Sequence, residues 1–194
     1  MARRYDLRRR ALHLSGSLVP LAYLANVLSW RAVQYLLAAG AVLAFVLEAI
    51  RLFVGLDWAI FDRLTREYEQ QNPAGYALAV IAAALVGWVF APAIAVPAIL
   101  LLTVVDPVAG LLSDVDDVDR LKAPWVMAVS FGLALALSVA LLPLRAAVPA
   151  AVVVVLADAV KPRIRGFVID DNASIPIGAA VVAWLATAYV PPVA

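Results

Sequence analysis

Residues 157–176 read ADAVKPRIRGFVIDDNASIP and separate two long apolar runs of the chain. One run ends at Asp158, and the next begins just after Asn172. The polar residues between these two points are Lys161, Arg163, Arg165, Asp170 and Asp171. Two apolar helices that meet at such a segment would end on the same side of a membrane. Cations and carboxylates gathered there are the groups that hold a metal–phosphate group at the bilayer surface.

The composition favours an integral membrane protein built from helices. Of the 194 residues, 65% are hydrophobic and only 15% are charged, whereas an ordinary soluble domain has about 25% charged residues. The mean hydropathy is +0.96. A chain of this length fits one domain, so we interpret residues 1–194 as a single transmembrane domain. No basic patch interleaves with aromatic residues, so we expect no nucleic-acid partner.

Seven apolar segments have about the length of a transmembrane helix. They cover residues 11–29, 32–50, 75–91, 94–112, 124–143, 146–160 and 174–190. The sixth is short and carries Pro149 and Asp158, so the number of spans is seven, or six if this segment does not cross. The first is too long for the apolar part of a signal peptide, so we expect it to be retained, with a kink at Pro20. The segments predict an all-α polytopic membrane protein.

The basic residues predict how the chain is oriented. With the N-terminus in the cytoplasm, thirteen of the 15 Lys and Arg residues lie in cytoplasmic segments, and the exceptions are Arg31 and Arg145. All 14 Asp and Glu residues lie on the same side or in the span ends next to it. We therefore expect a multi-pass protein of the cell membrane with its active site on the cytoplasmic face.

Residues 52–75, LFVGLDWAIFDRLTREYEQQNPAG, fit a helix that lies along the membrane surface. Aromatic side chains recur at near-helical spacing from Trp58 to Tyr68, and Glu69 falls among the charged residues of the opposite side. The pattern predicts an amphipathic helix with Glu69 facing water. Such a helix could brace the surface of the protein or present it to a lipid substrate.

Two ionisable residues inside apolar runs are candidates for chemistry. His13 lies four residues after Arg9 and so on the same helical face. Asp106 lies in LLTVVDPVAGLL, residues 101–112, with no cation within one helical turn. Ionisable groups in membrane segments are costly and mark functional sites, although Asp106 could instead cap a helix break. Because Pro107 disfavours α geometry in the residue before it, we expect a broken helix at Asp106 that is aimed at a cavity.

Carboxylates near the ends of the apolar segments indicate a divalent-metal site. Mg²⁺ is usually held by one or two carboxylates together with substrate phosphates, and Asp158 and Asp171 could supply such ligands. Nearby Lys and Arg side chains could take the remaining phosphate charge. Asn172 could also cap the last helix. No P-loop motif is present, so any nucleotide would be held in another way. Glu48 and Arg51 lie three residues apart and could simply neutralise each other.

Several motifs resemble those of one family. RRRALHLSG at residues 8–16 resembles the R-K-x-x-H…G signature that opens the dolichol kinase, phytol kinase and CTP-dependent diacylglycerol kinase family. The motifs that match later ones of that family, in the same order, are LEAIR at 47–51, Arg66–Glu67, DPVAGL at 106–111 and IDDNASIP at 169–176. Members of this family are multi-span membrane proteins that phosphorylate the hydroxyl of a lipid or isoprenoid alcohol, typically with CTP and a divalent metal.

The resemblance, which covers about residues 8–180, implies a CTP-dependent kinase of an isoprenoid or lipid alcohol, with Mg²⁺ as cofactor. The residues that match its motifs are Arg9, Arg10, His13, Glu48, Arg51, Asp106, Lys122, Asp171, Asn172 and Pro176. Together with the charge pattern, it gives the catalytic residues as His13, Asp106 and Asp171, and the metal ligands as Asp106, Asp158, Asp171 and Glu48. The residues expected to bind the nucleotide are Arg9, Arg10, Arg51, Lys122, Lys161, Arg163, Arg165 and Asn172.

Other functions stay open on the sequence. A cytidylyltransferase that makes a CDP-lipid would use the same face and metal. A small transporter would more often place polar groups near the bilayer midplane and show repeat symmetry, and this chain shows neither. A non-catalytic relative is a further alternative, because residues 113–124 lack the family's glycines and keep only Lys122 of its next motif. Abundant small residues would permit close helix packing within one chain or in a homodimer.

Overall fold

The computed structural model describes residues 10–54, 65, 69–70, 72–113, 121–164 and 167–191. Within these ranges the chain is almost entirely helical, which confirms the helical class that the sequence predicts. The departure, among these residues, is a hairpin in which β1 (Arg163–Ile164) pairs antiparallel with β2 (Phe167–Val168). This hairpin lies inside the polar stretch 157–176, so that stretch turns back on itself between two helices.

A short helix over residues 10–15 opens the described chain. The helices after it are α1 (Leu18–Leu24), α2 (Trp30–Ala49), α3 (Gly75–Val89), α4 (Pro92–Leu100), α5 (Asp106–Leu112), α6 (Pro124–Leu141), α7 (Leu144–Ala159) and α8 (Asp171–Tyr189). A π-helical turn over Ile50–Val54 extends α2, and another over Leu101–Val105 joins α4 to α5. Each of the seven predicted apolar segments is therefore helical over most of its length.

Four of the described helices are long and apolar enough to cross a membrane: Trp30–Val54, Pro92–Leu112, Pro124–Leu141 and Asp171–Tyr189. The helix α3 is apolar but has only 15 residues, and α7 has 16. Pro92–Leu112 is the central helix, because 78% of its apolar window is buried inside the protein. The corresponding share is 17% for Trp30–Val54 and 22% for Pro124–Leu141, so these two helices lie at the periphery.

Small side chains fill the contact between α7 and α8, the most extensive helix pair of the structure. Each helix contributes alanines that are at most 5% exposed: Ala146, Ala147, Ala150 and Ala151 from α7, and Ala179, Ala180, Ala183 and Ala186 from α8. Small residues let two helix backbones approach closely, which is how apolar helices associate in the absence of a hydrophobic driving force. This packing fixes the end of α7 beside the start of α8.

The central helix is not broken at Asp106, contrary to the expectation from Pro107. Asp106 has helical dihedral angles, φ −59° and ψ −50°, and stands at the start of α5. Proline lacks an N–H group, and its ring clashes with the carbonyl group four residues earlier in a regular helix. The π turn over Leu101–Val105 widens the helix just before Pro107 and so removes that conflict. The chain passes the proline without ending the helix.

The first apolar segment is interrupted at Gly16 and Ser17 rather than kinked at Pro20. Pro20 lies in the first turn of α1, where the missing N–H group has no intrahelical partner to lose. At the interruption, a Cβ atom on Gly16 would lie 3.2 Å from the Thr103 Cγ2 atom in the π turn. Glycine therefore lets the first segment approach the central helix closely, and this approach brings His13 beside Asp106.

The predicted surface helix over residues 52–75 lies largely outside the described residues. Its first residues continue α2 as the π turn that ends at Val54. Glu69, which the pattern places in water, is only 1% exposed, so that part of the prediction is wrong. Its Oε1 atom accepts a hydrogen bond from the Gly75 N–H group at the start of α3, at 3.2 Å. Glu69 is therefore buried because its carboxylate binds the N–H group at the start of α3.

Candidate active site

Three carboxylates from three separate helices converge at one end of the bundle. Asp106 starts α5, Asp158 ends α7 and Asp171 starts α8. One carboxylate oxygen from each lies within 4.8 Å of the others, and all three residues are buried. We call these three residues the carboxylate cluster. The sequence predicts all three as metal ligands, and the packing of α7 against α8 and the central helix is what brings them together.

Each member of the carboxylate cluster has a cationic or ionisable partner. His13 Nδ1 lies 3.1 Å from Asp106 Oδ2, and Lys161 Nζ lies 2.7 Å from Asp171 Oδ2. Lys122 forms an ion pair with Asp158. Buried like charges this close repel one another unless nearby positive charge compensates them. Lys122 and Lys161, which the sequence predicts as phosphate-binding residues, therefore lie directly beside the carboxylates.

The start of α8 is organised by Asp170, which is not among the site residues predicted from the sequence. Its carboxylate accepts hydrogen bonds from the Asn172 backbone N–H group at 3.0 Å and from Asn172 Nδ2 at 2.5 Å. This is the N-cap arrangement expected of aspartate. Asp171 then occupies the first turn, where a carboxylate interacts favourably with the helix dipole. The cap is held by Asp170, while Asn172, the residue proposed for that role, faces the cavity.

A cavity of about 390 Å³ adjoins the cluster. Five of its lining residues carry an ionisable or amide side chain and form what we call the polar end: Arg10, His13, Glu69, Asp106 and Asn172. Its apolar lining includes Val19, Leu36, Leu37, Ala79, Val80, Ala83, Ile99 and Leu102. The cavity therefore joins a charged region beside the carboxylate cluster to a hydrocarbon-like interior. A ligand with one polar group and one apolar chain matches this division.

His13 presents an unused nitrogen atom at the polar end. Its Nδ1 atom faces Asp106, whereas Nε2 is buried and has no hydrogen-bond partner within the described part of the chain. A buried polar atom without a partner is costly, and sites that bind a ligand are a common explanation for one. The carboxylate at Nδ1 fixes the orientation of the ring and leaves Nε2 for a ligand. His13 is thus placed to accept or donate a proton at a group bound in the cavity.

Arg10 extends over Gly110 in α5. A methyl group at position 110 would overlap the Arg10 guanidinium, so glycine is required for this arrangement. Arg10 also lines the cavity. A guanidinium at this position can bind phosphate oxygens with two parallel N–H donors. This position is consistent with the predicted binding of phosphate by Arg10. It also explains why residue 110 is a glycine.

Glu48 and Arg51 form a buried pair that the structure does not include in the carboxylate cluster. Arg51 Nε and Nη2 donate to the two Glu48 carboxylate oxygens at 3.0 and 2.7 Å. The same carboxylate accepts from the Ala74 N–H group at 2.9 Å and from the Tyr76 hydroxyl at 2.6 Å. Both oxygens are therefore engaged. The prediction that Glu48 binds the metal finds no counterpart among the grouped ligands.

Arg51 is engaged in the same way. Its guanidinium donates to the carbonyl groups of Glu69, Gln70 and Asn72 at 3.0, 3.2 and 2.6 Å. These bonds tie the end of α2 to the segment that leads into α3. These contacts give Glu48 and Arg51 a structural role. Metal binding by Glu48 and nucleotide binding by Arg51 stay predictions.

The remaining predicted residues lie outside what the structure describes: Arg9, Arg165 and the side chain of Arg163. Conversely, Glu69 and Tyr76 line the cavity without having been predicted as site residues. The signal that could have identified Glu69 is its position six residues before the start of α3, from which a side-chain acceptor can reach a free N–H group of that helix. The amphipathic pattern outweighed that signal.

The carboxylate cluster has the chemistry of a hard-cation site. Mg²⁺ prefers carboxylate oxygens and commonly uses one or two of them together with water and phosphate. Three buried carboxylates with nearby cations fit such an ion when it arrives with a phosphate group, because the cations can then pair with the phosphate oxygens. No protein-family model, no curated protein and no solved structure matches this chain.

Proposed function

We propose that this chain is a membrane kinase that transfers the terminal phosphoryl group of a nucleoside triphosphate, CTP, to the hydroxyl of an isoprenoid or lipid alcohol. The observation that carries the proposal is the cavity of about 390 Å³, which places an apolar interior directly beside three grouped carboxylates. A site for a soluble substrate would not need the apolar interior. A site for a hydrocarbon alone would not need the carboxylates.

The proposed membrane arrangement has about seven spans, with the N-terminus and the carboxylate cluster at the cytoplasmic face. The peripheral helices support it, since α2 exposes Tyr35, Leu43 and Phe45, and each of these is at least 60% exposed. Such large apolar faces are rare on soluble monomers. The short helices would span where the bilayer thins or where their neighbours cover them. The charge bias of the sequence supports the cytoplasmic orientation.

Among the described residues, those that would hold the metal and the donor phosphates lie at the polar end or next to it. Asp106, Asp158 and Asp171 would hold Mg²⁺, which when bound would neutralise charge on the donor phosphates. Lys122 and Lys161 would then bind phosphate oxygens, and their ion pairs with Asp158 and Asp171 would weaken. Arg10 would bind phosphate oxygens from the opposite side, and Arg9, Arg163 and Arg165 are expected to add to this positive charge. Phosphoryl transfer depends mainly on such positioning and charge stabilisation.

His13 would receive the proton of the acceptor. Asp106 holds its Nδ1 atom, so Nε2 is the atom left to accept a hydrogen bond from the hydroxyl. As the alcohol oxygen forms its bond to the terminal phosphorus, the O–H proton passes to Nε2. The bond from that phosphorus to the bridging oxygen breaks, and the nucleoside diphosphate leaves with that electron pair. Proton transfer by a positioned histidine typically contributes a factor of about 100–10,000 to the rate.

The proposal is tested by a radiolabel transfer assay in detergent or liposomes. CTP and ATP labelled in the terminal phosphate are each combined with Mg²⁺ and with dolichol, phytol, geranylgeraniol or diacylglycerol. Label in a lipid phosphate, with release of the nucleoside diphosphate, is the expected result. Release of pyrophosphate from a lipid phosphate and CTP would instead establish the cytidylyltransferase. Folded protein that binds Mg²⁺ and nucleotide but transfers nothing would support the non-catalytic alternative.

A further inference from the structure

The cavity extends well away from the carboxylate cluster along the helices that line it. Ala83 comes eight residues after Gly75 in α3, and Ile99 comes seven residues before Asp106. At about 1.5 Å per residue, these separations correspond to roughly 10–12 Å along the helix axes. The apolar part of the cavity therefore runs from the polar end toward the middle of the helical bundle. The lining thus covers about two helical turns, a length that an extended chain can occupy.

Two residues that line the cavity are also exposed at the protein surface. They are Leu12 and Leu36, with exposed fractions of 55% and 51%. Leu12 belongs to the first helical segment and Leu36 to α2, so we place an opening of the cavity along the line between residues 10–24 and α2. We call this line the seam. The helix α1 packs only lightly on α2, whereas α3 packs extensively on it. The seam is thus a weakly closed side of the cavity.

Gly40 stands in the wall of the cavity near the seam. A Cβ atom on Gly40 would lie 3.1 Å from the Val80 Cγ1 atom, and Val80 lines the same cavity. A larger side chain at position 40 would therefore occupy cavity space or push Val80 into it. Gly87 gives a comparison, because its Cβ would meet Leu37 Cδ1 at 2.9 Å but Gly87 does not line the cavity. Close helix packing explains why residue 87 is a glycine. The glycine at position 40 also keeps space open in the part of the cavity near the seam, which we call the passage.

We infer that one hydrocarbon chain enters through the seam, that Gly40 keeps the space for this chain open, and that the cavity admits a single-chain alcohol and excludes a two-chain glycerolipid. The identity of the hydroxyl-bearing ligand rests on the proposed function, but its binding does not require turnover. The volume of about 390 Å³ is near the lower end of the roughly 300–1,000 Å³ typical of small-molecule sites. Only the part of a long chain next to the hydroxyl fits, and the rest must leave through the seam into lipid.

The test uses photo-crosslinking of the full chain in liposomes. Two single-chain alcohol probes carry a diazirine either beside the hydroxyl or near the far end of the chain, and labelled peptides are identified by mass spectrometry. The first probe should label peptides that contain His13 or Thr103, and the second should label peptides that contain Leu36 or Val80. Unlabelled single-chain alcohol should compete, and diacylglycerol should not. Equal competition by diacylglycerol would overturn the assignment to a single chain.

Matched variants distinguish labelling by a probe inside the passage from labelling by a probe that merely contacts the lipid-facing surface. Gly40→Leu should reduce cavity labelling by about tenfold or more, because added bulk in a packed site is strongly disfavoured. Gly132→Leu in α6 is the control, since a Cβ there would meet nothing within 4 Å. Leu36→Trp narrows the exposed mouth and serves if Gly40→Leu does not fold. Equal labelling in all variants, or labelling mainly around Gly132, would overturn the inference. Cavity labelling without phosphoryl transfer would support the passage and contradict the proposed function.

Discussion

His13 Nδ1 lies 3.1 Å from Asp106 Oδ2, so the first helical segment is joined to the central helix at the polar end of the cavity. The contact depends on two local features, the interruption at Gly16 and the π turn that ends at Val105. It leaves His13 Nε2 buried without a partner among the described residues, where it can meet a bound hydroxyl.

The first prediction concerns the two nitrogen atoms of His13. His13→Asn keeps an N–H donor near the position of Nδ1 and removes Nε2, whereas His13→Gln reaches toward the position of Nε2 and gives up the Nδ1 donor. Both variants should lower phosphoryl transfer by about 100–10,000-fold, because neither amide can accept the proton. Thermal unfolding should change less for His13→Asn, which keeps the contact with Asp106. Near-normal transfer by His13→Asn would remove histidine from the proton-transfer role.

The second prediction concerns metal binding by the carboxylate cluster. Mg²⁺ should raise the unfolding temperature of the purified protein, since a ligand that binds only the folded state stabilises it by about 2.7 kcal/mol at 100 times its Kd. Asp171→Asn should abolish most of this shift. Glu48→Gln should lower the starting unfolding temperature and keep the shift, because Glu48 lies outside the cluster. A lost shift in Glu48→Gln would restore Glu48 as a metal ligand.

The third prediction concerns the buried pair of Glu48 and Arg51. Tyr76→Phe removes the 2.6 Å hydrogen bond from the tyrosine hydroxyl to Glu48. A hydrogen bond to a charged group contributes about 1.5–3 kcal/mol, so the free energy of unfolding should fall by roughly that amount. Tyr189→Phe is the control, since Tyr189 is 73% exposed. If the two variants were equally stable, the bond would not support the α2–α3 connection.

The fourth prediction concerns the position of Arg10. Gly110→Ala would place a methyl group where the Arg10 guanidinium lies, and the flexible arginine should move rather than the helix. Loss of one charge-assisted contact to phosphate should raise the KM for the nucleotide by about tenfold or more, with a smaller change in kcat. Gly132→Ala, which adds the same methyl group in open space, should leave both constants unchanged. An unchanged KM in Gly110→Ala would separate Arg10 from the donor.

Much of the fold could be predicted from the sequence, because apolar runs in a membrane-like composition leave few alternatives to helices. The grouping of Asp106, Asp158 and Asp171 was also predictable as a set, since the predicted orientation places each carboxylate toward the same membrane face. What the sequence could not give are the details that depend on packing between segments. The helical geometry of Asp106 depends on a π turn, and the burial of Glu69 depends on the start of α3.

The role of Glu48 shows the same limit. Its position near the C-terminal end of α2 is compatible with a metal ligand, and the i,i+3 spacing to Arg51 is equally compatible with a local pair. The deciding contacts come from Ala74 and Tyr76, more than 20 residues away along the chain. The sequence of α2 therefore could not predict these contacts.

The most direct test of the proposed function is the rate at which terminal-phosphate label moves from CTP to a single-chain alcohol at graded Mg²⁺ concentrations, for the unaltered chain and for Asp171→Asn. We expect Mg²⁺-dependent formation of a labelled lipid phosphate by the unaltered chain, and a large loss of rate in the variant that excess Mg²⁺ restores only in part. Transfer that is independent of Mg²⁺ and equal in both proteins would contradict it. So would the absence of transfer to every alcohol by folded protein.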